Sequence, residues 1–457
     1  MESGTTAPLP QRIMHVVIAG AGLGGLSCAI ACRKCDPPLK VTILERSPEF
    51  QPIGAGIQLP PNATRIMEQY GLLEKLKDVG AIVMQNHTLR RYSTGEVIVN
   101  KPLGARAKQI YGAEWMVIHR ADYQKVLLQQ AQELGAEMQT GAEVVGVSSG
   151  YEGEEEKRNQ EKVCLILKDG QRVYGDVVIG ADGLWSVMRE HVLGRPSPPV
   201  ETGDLAYRGT FTRSQLRQLN DEKVNQLLDA SNLQVWLGPE KHVVFYPVRN
   251  GTEFNLVLIR PDNLPRNVRT FHGNLDEMRD DFEGWDPTLR TLISCLSSAL
   301  KWKLCHHSEL ETWVKDSVAL LGDASHPTLP YQAQGAAMAV EDGAVIGFLL
   351  GRLQSNPALW SEESGKDAIT TTLKLYEKLR KQRTTVNVLG AVQARVFYHL
   401  PDGSEQQERD RLLSELPESR WESRSKWNWG DAEYQQALLG FDTLADAAEH
   451  SHKLFEG

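Results

Sequence analysis

A glycine-rich turn followed by a distant carboxylate is the first part of the sequence that could do chemistry. Gly20, Gly22 and Gly25 follow a short apolar segment and have the G-x-G-x-x-G spacing, and Glu45 comes 20 residues after Gly25. The first glycine permits a tight turn, the second lets the backbone approach a pyrophosphate, and the third allows a helix to pack closely on a strand. The start of that helix offers N–H groups to phosphates, and the carboxylate can accept from ribose hydroxyls. The pattern predicts a dinucleotide site, for either NAD or FAD.

Two later segments each combine an aspartate with glycines at the end of an apolar stretch. The first contains Asp182 and is followed by Arg189, and the second contains Asp323 and continues to Gln334 and Gly335. Ligands of α/β sheets bind at the carboxyl ends of strands, where an aspartate can accept from ribityl or ribose hydroxyls. We therefore expect both segments to border the cofactor. The alternative is that each aspartate only caps a helix, which is worth about 1 kcal/mol.

These motifs need elements that hold them at one edge of a sheet. Short apolar stretches predict buried strands, and longer apolar patterns predict helices. The expected strands cover residues 14–19, 41–44, 176–180 and 318–321, and the expected helices cover 26–35, 121–133 and 335–350. Because these segments lie far apart in the chain, the binding sheet is expected to be discontinuous.

A second sheet is expected in the middle of the chain. A hairpin at 87–100 and alternating stretches at 234–237, 242–248 and 253–259 predict antiparallel strands, with Asn250-Gly251 as a hairpin turn. The predicted fold class is α/β, with a discontinuous Rossmann-like binding domain, an inserted substrate domain that has an antiparallel sheet, and a helical C-terminal extension. We expect the binding domain to cover residues 12–84, 103–190 and 300–352, the substrate domain 85–102 and 191–299, and the extension 353–457.

Composition narrows the class of protein. A length of 457 residues suits two or three domains, and the net charge of −9 argues against binding to nucleic acid or to an anionic membrane. No apolar run reaches the length of about 18 residues that a membrane span needs. The first 11 residues lack the apolar core of a signal peptide, so we expect a cytoplasmic protein.

The cysteines and histidines do not predict a metal site. Cys28, Cys32 and Cys35 have the C-x3-C-x2-C spacing of radical-SAM enzymes, but they fall on the first helix, where cysteine is a common core residue. The pair His306-His307 has no matching ligand pair nearby in the sequence. We expect no metal.

The three motifs in this order resemble those of the single-component FAD-dependent aromatic hydroxylases. Salicylate hydroxylase-like and 3-hydroxybenzoate hydroxylase-like proteins, including fungal biosynthetic monooxygenases, have the most similar pattern, and the resemblance covers about residues 14–350. It implies bound FAD, NAD(P)H and O2 as co-substrates, and a small aromatic substrate. It also implies hydroxylation through a flavin hydroperoxide, with decarboxylation or dearomatisation where the attacked carbon is substituted. We expect a monomer or a homodimer.

The resemblance also assigns cofactor contacts. The ADP half of FAD is expected on the glycine-rich turn and Glu45, and the ribityl chain on Asp323. Arg46, next to Glu45, is expected to make a further contact with the cofactor. Arg120 matches the family arginine that reaches FAD at a helix start. Contacts to the flavin ring are expected from Gln58, Gln334 and Gly335. Asp182 and Arg189 are expected to contact both FAD and NAD(P)H.

Three residues are candidates for contact with the substrate. His242 and Tyr246 are four apart, so they share one face of a strand, and similar hydroxylases have such a pair here. A histidine can accept the phenol proton, and a tyrosine can position the phenolic oxygen. Arg208 can pair with a carboxylate or carbonyl oxygen of the substrate, or contact the flavin ring edge. The alternative is that these side chains only pack.

Other readings of the same motifs stay open. A halogenase would carry a W-x-W-x-I-P segment, which the sequence lacks. An epoxidase, a Baeyer–Villiger-type oxygenase and an FAD-binding protein without oxygenase activity all fit the cofactor motifs. The extension has a cluster formed by Trp421, Trp427 and Trp429, which we expect to dock on the cofactor domain, although a dimer contact or an exposed patch would also fit.

Overall fold

The computed structural model of the protein describes residues 12–50, 55–148, 162–266, 268–360, 365–415 and 425–455. Its strands are, in chain order, β1 His15–Ala19, β2 Lys40–Glu45, β3 Gly56–Leu59, β4 Ile82–Val83, β5 Asn86–Arg91, β6 Val97–Pro102, β7 Met116–His119, β8 Glu137–Thr140, β9 Val144–Ser148, β10 Val163–Leu167, β11 Arg172–Gly175, β12 Val177–Gly180, β13 Val200–Thr212, β14 Asn232–Gly238, β15 Lys241–Val248, β16 Glu253–Pro261, β17 Thr270–His272, β18 Leu300–His306, β19 Val314–Lys315 and β20 Val318–Leu320. Its α-helices are α1 Leu23–Arg33, α2 Pro61–Tyr70, α3 Leu73–Asp78, α4 Gly104–Tyr111, α5 Arg120–Glu133, α6 Val187–Leu193, α7 Arg213–Arg217, α8 Glu222–Asp229, α9 Leu275–Asp281, α10 Pro287–Ser294, α11 Gly335–Gln354, α12 Gly365–Tyr398, α13 Ser404–Ser414, α14 Ala432–Leu439 and α15 Thr443–Phe455.

A six-stranded sheet holds the glycine-rich turn and both aspartate segments. Its strand order is β19-β20-β12-β1-β2-β8, and its neighbours are parallel except for β19 and β20. The central strands are apolar and buried on both faces, as a parallel sheet between helices requires. The predicted strands at 14–19, 41–44, 176–180 and 318–321 are confirmed with end shifts of one or two residues, and so is the discontinuity of the sheet.

Helix α11 packs closely on α1 behind the glycine-rich turn. A Cβ on Gly343 of α11 would lie 2.5 Å from the carbonyl oxygen of Gly24, so glycine is needed there for the helices to approach. Helix α12 is then attached to α11 by buried ion pairs, because Arg380 lies 2.7 Å from both Glu341 and Asp342. Among the described helices, none is both long enough and apolar enough to cross a membrane.

An eight-stranded sheet follows the order β17-β18-β13-β16-β15-β14-β5-β6. The predicted antiparallel arrangement is confirmed at every neighbouring pair except one, since β14 and β5 run parallel. The hairpin β5–β6 comes from a distant part of the chain, so no tight turn forces β5 to run antiparallel to its neighbour. Strand β18 also belongs to this sheet, although the domain boundary expected at residue 300 would place it with the cofactor domain.

The two faces of the eight-stranded sheet have different partners. On one face, Tyr207 and Phe245 join an apolar core with the helices α7 to α10. On the other face, Arg208, His242 and Tyr246 line a cavity toward the six-stranded sheet. The alternation along β13 and β15 therefore brings all three predicted substrate-contact residues to the same side.

The tryptophans of the C-terminal extension dock where several parts of the fold meet. Trp427 packs on Phe397 at the end of α12, and Trp429 packs on Phe397 and on His87 of β5. Both tryptophans also pack against a cluster that contains Leu329 and Tyr331 of the expected cofactor domain, so the expected docking on that domain is confirmed in part. Trp421 lies outside the described residues.

Candidate active site

Two neighbouring cavities follow the carboxyl edge of the six-stranded sheet. The first, here called the nucleotide cavity, has a volume of about 640 Å³, and its wall includes Glu45, Arg46 and Asp182. The second, the central cavity, has a volume of about 400 Å³ and is bordered by both large sheets. Gly22 and Arg120 line both cavities, so one long ligand can extend from the first into the second.

The glycine-rich turn is shaped by close backbone contacts. Gly20 has φ +111°, and its N–H donates to the carbonyl of Leu44 at 2.8 Å. A Cβ on Gly25 would lie 2.2 Å from the carbonyl oxygen of Gly20, so a side chain there would push the turn away from α1. At Gly22 the space for a Cβ is open, and no side chain caps the helix that begins at the next residue. The N–H groups of this helix start therefore point to an open cavity wall.

Glu45 and Arg46 lie at the far end of the nucleotide cavity. The carboxylate of Glu45 accepts from the backbone N–H of Ala21 at 3.0 Å and from that of Ser47 at 2.9 Å. These bonds fix the carboxylate at the end of β2 while it remains half-buried. Arg46 is exposed beside it. Both residues therefore line the cavity in which the sequence predicts that they contact the cofactor.

Asp182 borders the nucleotide cavity but also caps helix α6. Its carboxylate accepts from the Ser186 hydroxyl at 2.6 Å and from the backbone N–H groups of Val187 at 2.7 Å and Met188 at 3.0 Å. Burial raises the pKa of Asp182, while these hydrogen bonds lower it in part. Helix capping, the alternative considered for this residue, thus accounts for three of its contacts.

Arg189 lies outside the lining of both cavities. The side chain is buried and donates to the carbonyl oxygens of Leu184, Ser197 and Ala324 at 2.7 to 3.2 Å. It therefore joins the loop after β12 to the turn after β20. The expectation that Arg189 contacts the cofactors is not supported, because the backbone uses its donors.

Arg120 and Asp323 lie on the wall of the central cavity. Arg120 is the first residue of α5, and Asp323 lies in a short 3-10 turn directly after β20. Burial and the neighbouring charge of Arg208 lower the pKa of Arg120, and Asp323 opposes this shift. Burial raises the pKa of Asp323, and the charges of His326 and Arg120 lower it in part. In the described chain the Asp323 carboxylate has no hydrogen-bond partner and is open to the cavity.

The start of helix α11 forms another wall of the central cavity. Gly335 lines the cavity, whereas the side chain of Gln334 is buried and pairs with Asn62, whose amide donates to it at 3.0 Å. The helix start at Gln334-Gly335, expected to face the flavin ring, therefore lies on the cavity wall through Gly335, while the side chain of Gln334 points away from it. Gln58 does line the cavity, and its amide oxygen accepts from the indole of Trp115 at 3.2 Å.

Arg208 and Tyr246 line the central cavity from the eight-stranded sheet. Among the described residues the guanidinium of Arg208 has no hydrogen-bond or ion-pair partner. The ring of Tyr246 packs on Gly56, where a Cβ would lie only 2.4 Å from it. Burial raises the pKa of Tyr246, and the charge of Arg208 lowers it in part, so the phenol stays protonated at neutral pH.

The neighbours of His242 are another histidine and two tyrosines, and Tyr246 is not among them. Four residues of a strand span about 13 Å, so His242 and Tyr246 face different parts of the cavity. The Nδ1 atom of His242 lies 2.8 Å from Nε2 of His399, and its ring packs against Tyr331 and Tyr398. Burial lowers the pKa of His242 well below its ordinary value, and His399 lowers it further.

Sequence reasoning missed several residues around this wall. His399 comes from the end of the long helix α12, and no local pattern connects it with His242. Lys101 is buried on β6. The sequence indicates on which face of the strand it lies, because Val97, Val99 and Lys101 are spaced two residues apart and therefore share one face. A lysine at such a position is worth attention, since lysine is rarely buried. No cluster of histidine, cysteine or acidic side chains in the described chain could hold a metal.

The polar groups along the joined cavities suit the groups of FAD. At their junction the open helix start at Gly22 and the cation of Arg120 suit a pyrophosphate. Further in, the open carboxylate of Asp323 can accept from ribityl hydroxyls, and the start of α11 can donate N–H groups to a ring edge. The donors and acceptors thus follow the order of the groups in FAD, and the residues present fit this cofactor.

A model of the protein family described as "FAD binding domain" matches residues 14–358. This range contains the glycine-rich turn, both aspartate segments and the eight-stranded sheet. The match therefore covers every residue that lines the central cavity.

Known proteins resemble the chain over nearly its whole length. The FAD-dependent monooxygenase OpS4 of Beauveria bassiana (strain ARSEF 2860) is 36% identical over 450 residues, which are 96% of this chain and 98% of that protein. The 3-hydroxybenzoate 6-hydroxylase 1 of Aquipseudomonas alcaligenes is 32% identical over 418 residues, 91% of this chain and 97% of that protein. A solved salicylate hydroxylase substrate complex has a TM-score of 0.75 and 25% identity, covering 96% of this chain and 98% of its own.

Proposed function

We propose that this chain hydroxylates a small phenolic ring with NAD(P)H and O2. The proposal starts from the family: the chain belongs to the FAD binding domain family and is an FAD-dependent monooxygenase of the aromatic-hydroxylase type. The names of two similar proteins support this substrate class, since hydroxybenzoate and salicylate are both rings that carry a hydroxyl. The observation that carries the proposal is the lining of the central cavity. It combines Asp323 and the start of α11 on one side with Arg208, His242 and Tyr246 on the other.

The cofactor and the protein divide the chemistry. Bound FAD supplies the redox chemistry, in which NAD(P)H is oxidised and one oxygen atom of O2 is delivered to the ring. The protein holds the ring beside the flavin and keeps water away from it. Val244, Val257 and Ile259 provide an apolar part of the cavity wall for this purpose.

His242 is the proposed acceptor of the phenolic proton. An ionised phenol is a much better nucleophile than a neutral one, so a base at the hydroxyl raises the rate. Because its pKa is low, His242 is neutral at physiological pH and can accept. Its Nδ1 atom faces His399, which leaves Nε2 for the substrate. Burial lowers the pKa of His399 to about 4, so His399 is neutral at physiological pH and its Nε2 atom can accept a hydrogen bond from Nδ1–H of His242 once Nε2 of His242 has gained the proton.

Tyr246 and Arg208 act at a different part of the ring. The protonated Tyr246 can donate a hydrogen bond to a ring substituent or to the flavin edge. The guanidinium of Arg208 can pair with an anionic oxygen that develops on the ring. Attack ortho or para to the hydroxyl follows from the electron-donating phenolate. Decarboxylation or dearomatisation follows if the attacked carbon already carries a carboxylate or an alkyl group.

The experiment that tests the proposal is NAD(P)H oxidation by the FAD-loaded protein across a panel of phenols and hydroxybenzoates, with mass analysis of the products. We expect at least one phenol to gain the mass of one oxygen atom. Rapid NAD(P)H oxidation that gives only hydrogen peroxide with every phenol would contradict hydroxylation, because the ring would then act as an effector.

Two substitutions separate the proposed roles. With the best phenol, His242→Gln should lower kcat by about 100-fold, within the range typical for loss of a general base. Tyr246→Phe should lower the fraction of NAD(P)H coupled to product with a smaller effect on flavin reduction. The exposed His272 provides the matched control, since His272→Gln alters a histidine that lines neither cavity. Unchanged turnover in both active-site variants would contradict the assignment of this wall.

A further inference from the structure

A fully buried asparagine lies beside Tyr246 on the neighbouring strand. Asn255 of β16 is opposite Tyr246 of β15 and opposite Thr210 of β13. Directly opposite residues of an antiparallel pair point to the same face of the sheet, with their Cβ atoms about 5 Å apart. Asn255 therefore belongs to the face of the eight-stranded sheet that borders the central cavity, and its exposed fraction is 0%.

The side-chain amide of Asn255 is poorly paired for a buried group. An asparagine amide offers two N–H donors and an oxygen that can accept twice. In the described chain the amide interacts with the Tyr246 hydroxyl, but this contact is not a fully formed hydrogen bond, and neither Nδ2 nor Oδ1 has another partner. Nearly all buried polar groups of folded proteins are hydrogen-bonded, so this amide needs an explanation.

An apolar side chain at this position would suit the stability of the sheet better. The same face of β16 continues with Val257 and Ile259, which are apolar and line the central cavity. Replacing a poorly paired buried polar group by an apolar group of the same shape is close to neutral or stabilising. Because Asn255 interrupts an apolar row at a cost in stability, its presence is better explained by activity than by folding.

The direction of the amide decides where the Tyr246 proton points. If Nδ2–H donates to the phenolic oxygen, the hydroxyl proton of Tyr246 is free to point into the cavity. If Oδ1 instead accepted that proton, it would be turned away from the cavity. Burial raises the pKa of Tyr246, and the charge of Arg208 and the amide of Asn255 lower it in part. A donated N–H produces such a lowering, because it stabilises the ionised phenol.

We propose that Asn255 is a positioning residue that donates its Nδ2–H to the phenolic oxygen of Tyr246 and so directs the Tyr246 proton into the central cavity. This rests on the proposed function, in which Tyr246 donates a hydrogen bond to a ring substituent or to the flavin edge. Asn255 acts through Tyr246 rather than on the ring itself. The contact shortens when a ring fills the cavity, as catalytic hydrogen bonds tighten in the complex.

A double-mutant cycle provides the test. Asn255→Leu is made in the native protein and in Tyr246→Phe, and all four proteins are loaded with FAD. The product formed per NAD(P)H oxidised is measured with 3-hydroxybenzoate, salicylate and phenol, and their dissociation constants are measured from flavin absorbance. With the probe that binds most tightly, Asn255→Leu should lower coupling or affinity by about 5-fold, which is the effect of one net hydrogen bond. In Tyr246→Phe the same change should have an effect below about 1.5-fold, because the hydroxyl is absent.

Stability separates this role from a structural one. Asn255→Leu should not lower the melting temperature, whereas it should lower coupling or affinity. Asn255→Ala removes the amide without adding an apolar branch, and it should reduce coupling or affinity as Asn255→Leu does. The matched control is Asn225→Leu, since Oδ1 of Asn225 is also buried without a partner in the described chain, but this residue of α8 lines neither cavity. It should leave coupling and affinity unchanged.

The outcomes distinguish this inference from the proposed function. An equal loss in the native and Tyr246→Phe backgrounds, or no loss in the native background, overturns the positioning role of Asn255. If the native protein then still adds an oxygen atom to a phenol, the proposed function stands. If the loss of affinity is confined to the background with the Tyr246 hydroxyl but no probe is oxygenated, the positioning role stands and the proposed reaction fails.

Discussion

At the scale of single residues, burial changes what the histidines of the cavity can do. Sequence identifies His242 as a base because the ordinary pKa of histidine lies near neutrality. In the fold its pKa is well below that value, so His242 accepts a proton only if a neighbour stabilises the resulting charge. His399, 2.8 Å away, is that neighbour, and we treat it as a positioning residue because it acts through His242.

His399→Phe tests this positioning role. The substitution removes the partner of a buried ring nitrogen, which costs about 1 to 3 kcal/mol. We expect kcat to fall about 10-fold or more and the pH profile of kcat to shift, whereas His399→Gln should recover part of the rate. His272→Phe on the exposed strand β17 is the control. Kinetics of the phenylalanine variant that match the native enzyme at every pH would refute the role.

Lys101 gives a second prediction at the residue scale, because its folded-state pKa of about 7 lies below the unfolded value of 10.5. Between these values the unfolded chain binds more protons, so native stability rises with pH across this window. Lys101→Met removes the dependence and should be more stable than the native protein at pH 7, by up to about 5 kcal/mol.

Denaturant unfolding at several pH values between 7 and 10 measures this difference, which should shrink as pH rises. Among the other titratable side chains that line the same cavity as Lys101, His87 and His242 have lowered pKa values, and burial raises that of Tyr331 and Tyr398 above 10. Lys101 is therefore the residue of this cavity wall that titrates in the window. A constant difference across the range would mean that its pKa is not perturbed.

At the scale of elements, the starts of three helices contribute Gly22, Arg120 and Gly335 to the cavity walls. Asp182, near the start of another helix, can both stabilise that helix and contact the cofactor. Asp182 accepts from two backbone N–H groups and a hydroxyl at the start of α6. Asp182→Ala should therefore lower the free energy of unfolding by about 1 kcal/mol, as the loss of a helix cap does. The affinity for FAD should change less than about 5-fold.

Asp221 offers the matched control for this prediction. It caps α8 through the backbone N–H of Val224 at 3.1 Å, remote from both cavities. Asp221→Ala should cost about the same stability with no effect on FAD. If Asp182→Ala keeps its stability but loses FAD more than 10-fold, the carboxylate contacts the cofactor instead.

Local patterns predict elements well where one physical rule dominates. Buried parallel strands read as apolar runs, so β1, β12 and β20 could be predicted from sequence, and so could α5 from its helical spacing. The parallel pairing of β14 with β5 could not, because it depends on where a distant hairpin inserts. Helix α1 begins at Leu23, three residues before the predicted start at residue 26. Glycine has a low helix propensity, so the sequence does not predict that Gly24 and Gly25 belong to the buried first turn of this helix.

At the scale of the whole molecule, the central cavity is assembled in part from three segments that are each more than 100 residues apart in the chain. The wall of this cavity contains Gly22, Arg208 and Gly335. His399, directly after α12, contacts His242 of the same wall. Motif spacing predicts the cofactor side of this arrangement, since each motif has its own strand–turn–helix context. It could not predict that the C-terminal segment places Trp429 against Lys101, because that contact joins two elements without a common pattern.

We propose above that this chain uses bound FAD to place one atom of O2 on a phenolic ring. The most direct measurement is incubation of the FAD-loaded protein with NAD(P)H, isotopically labelled O2 and the best phenol or hydroxybenzoate, followed by product mass analysis. We expect a product that carries one labelled oxygen atom, in an amount that falls sharply in His242→Gln. A product without label, or no oxygenated product from any ring while NAD(P)H is oxidised, would contradict it.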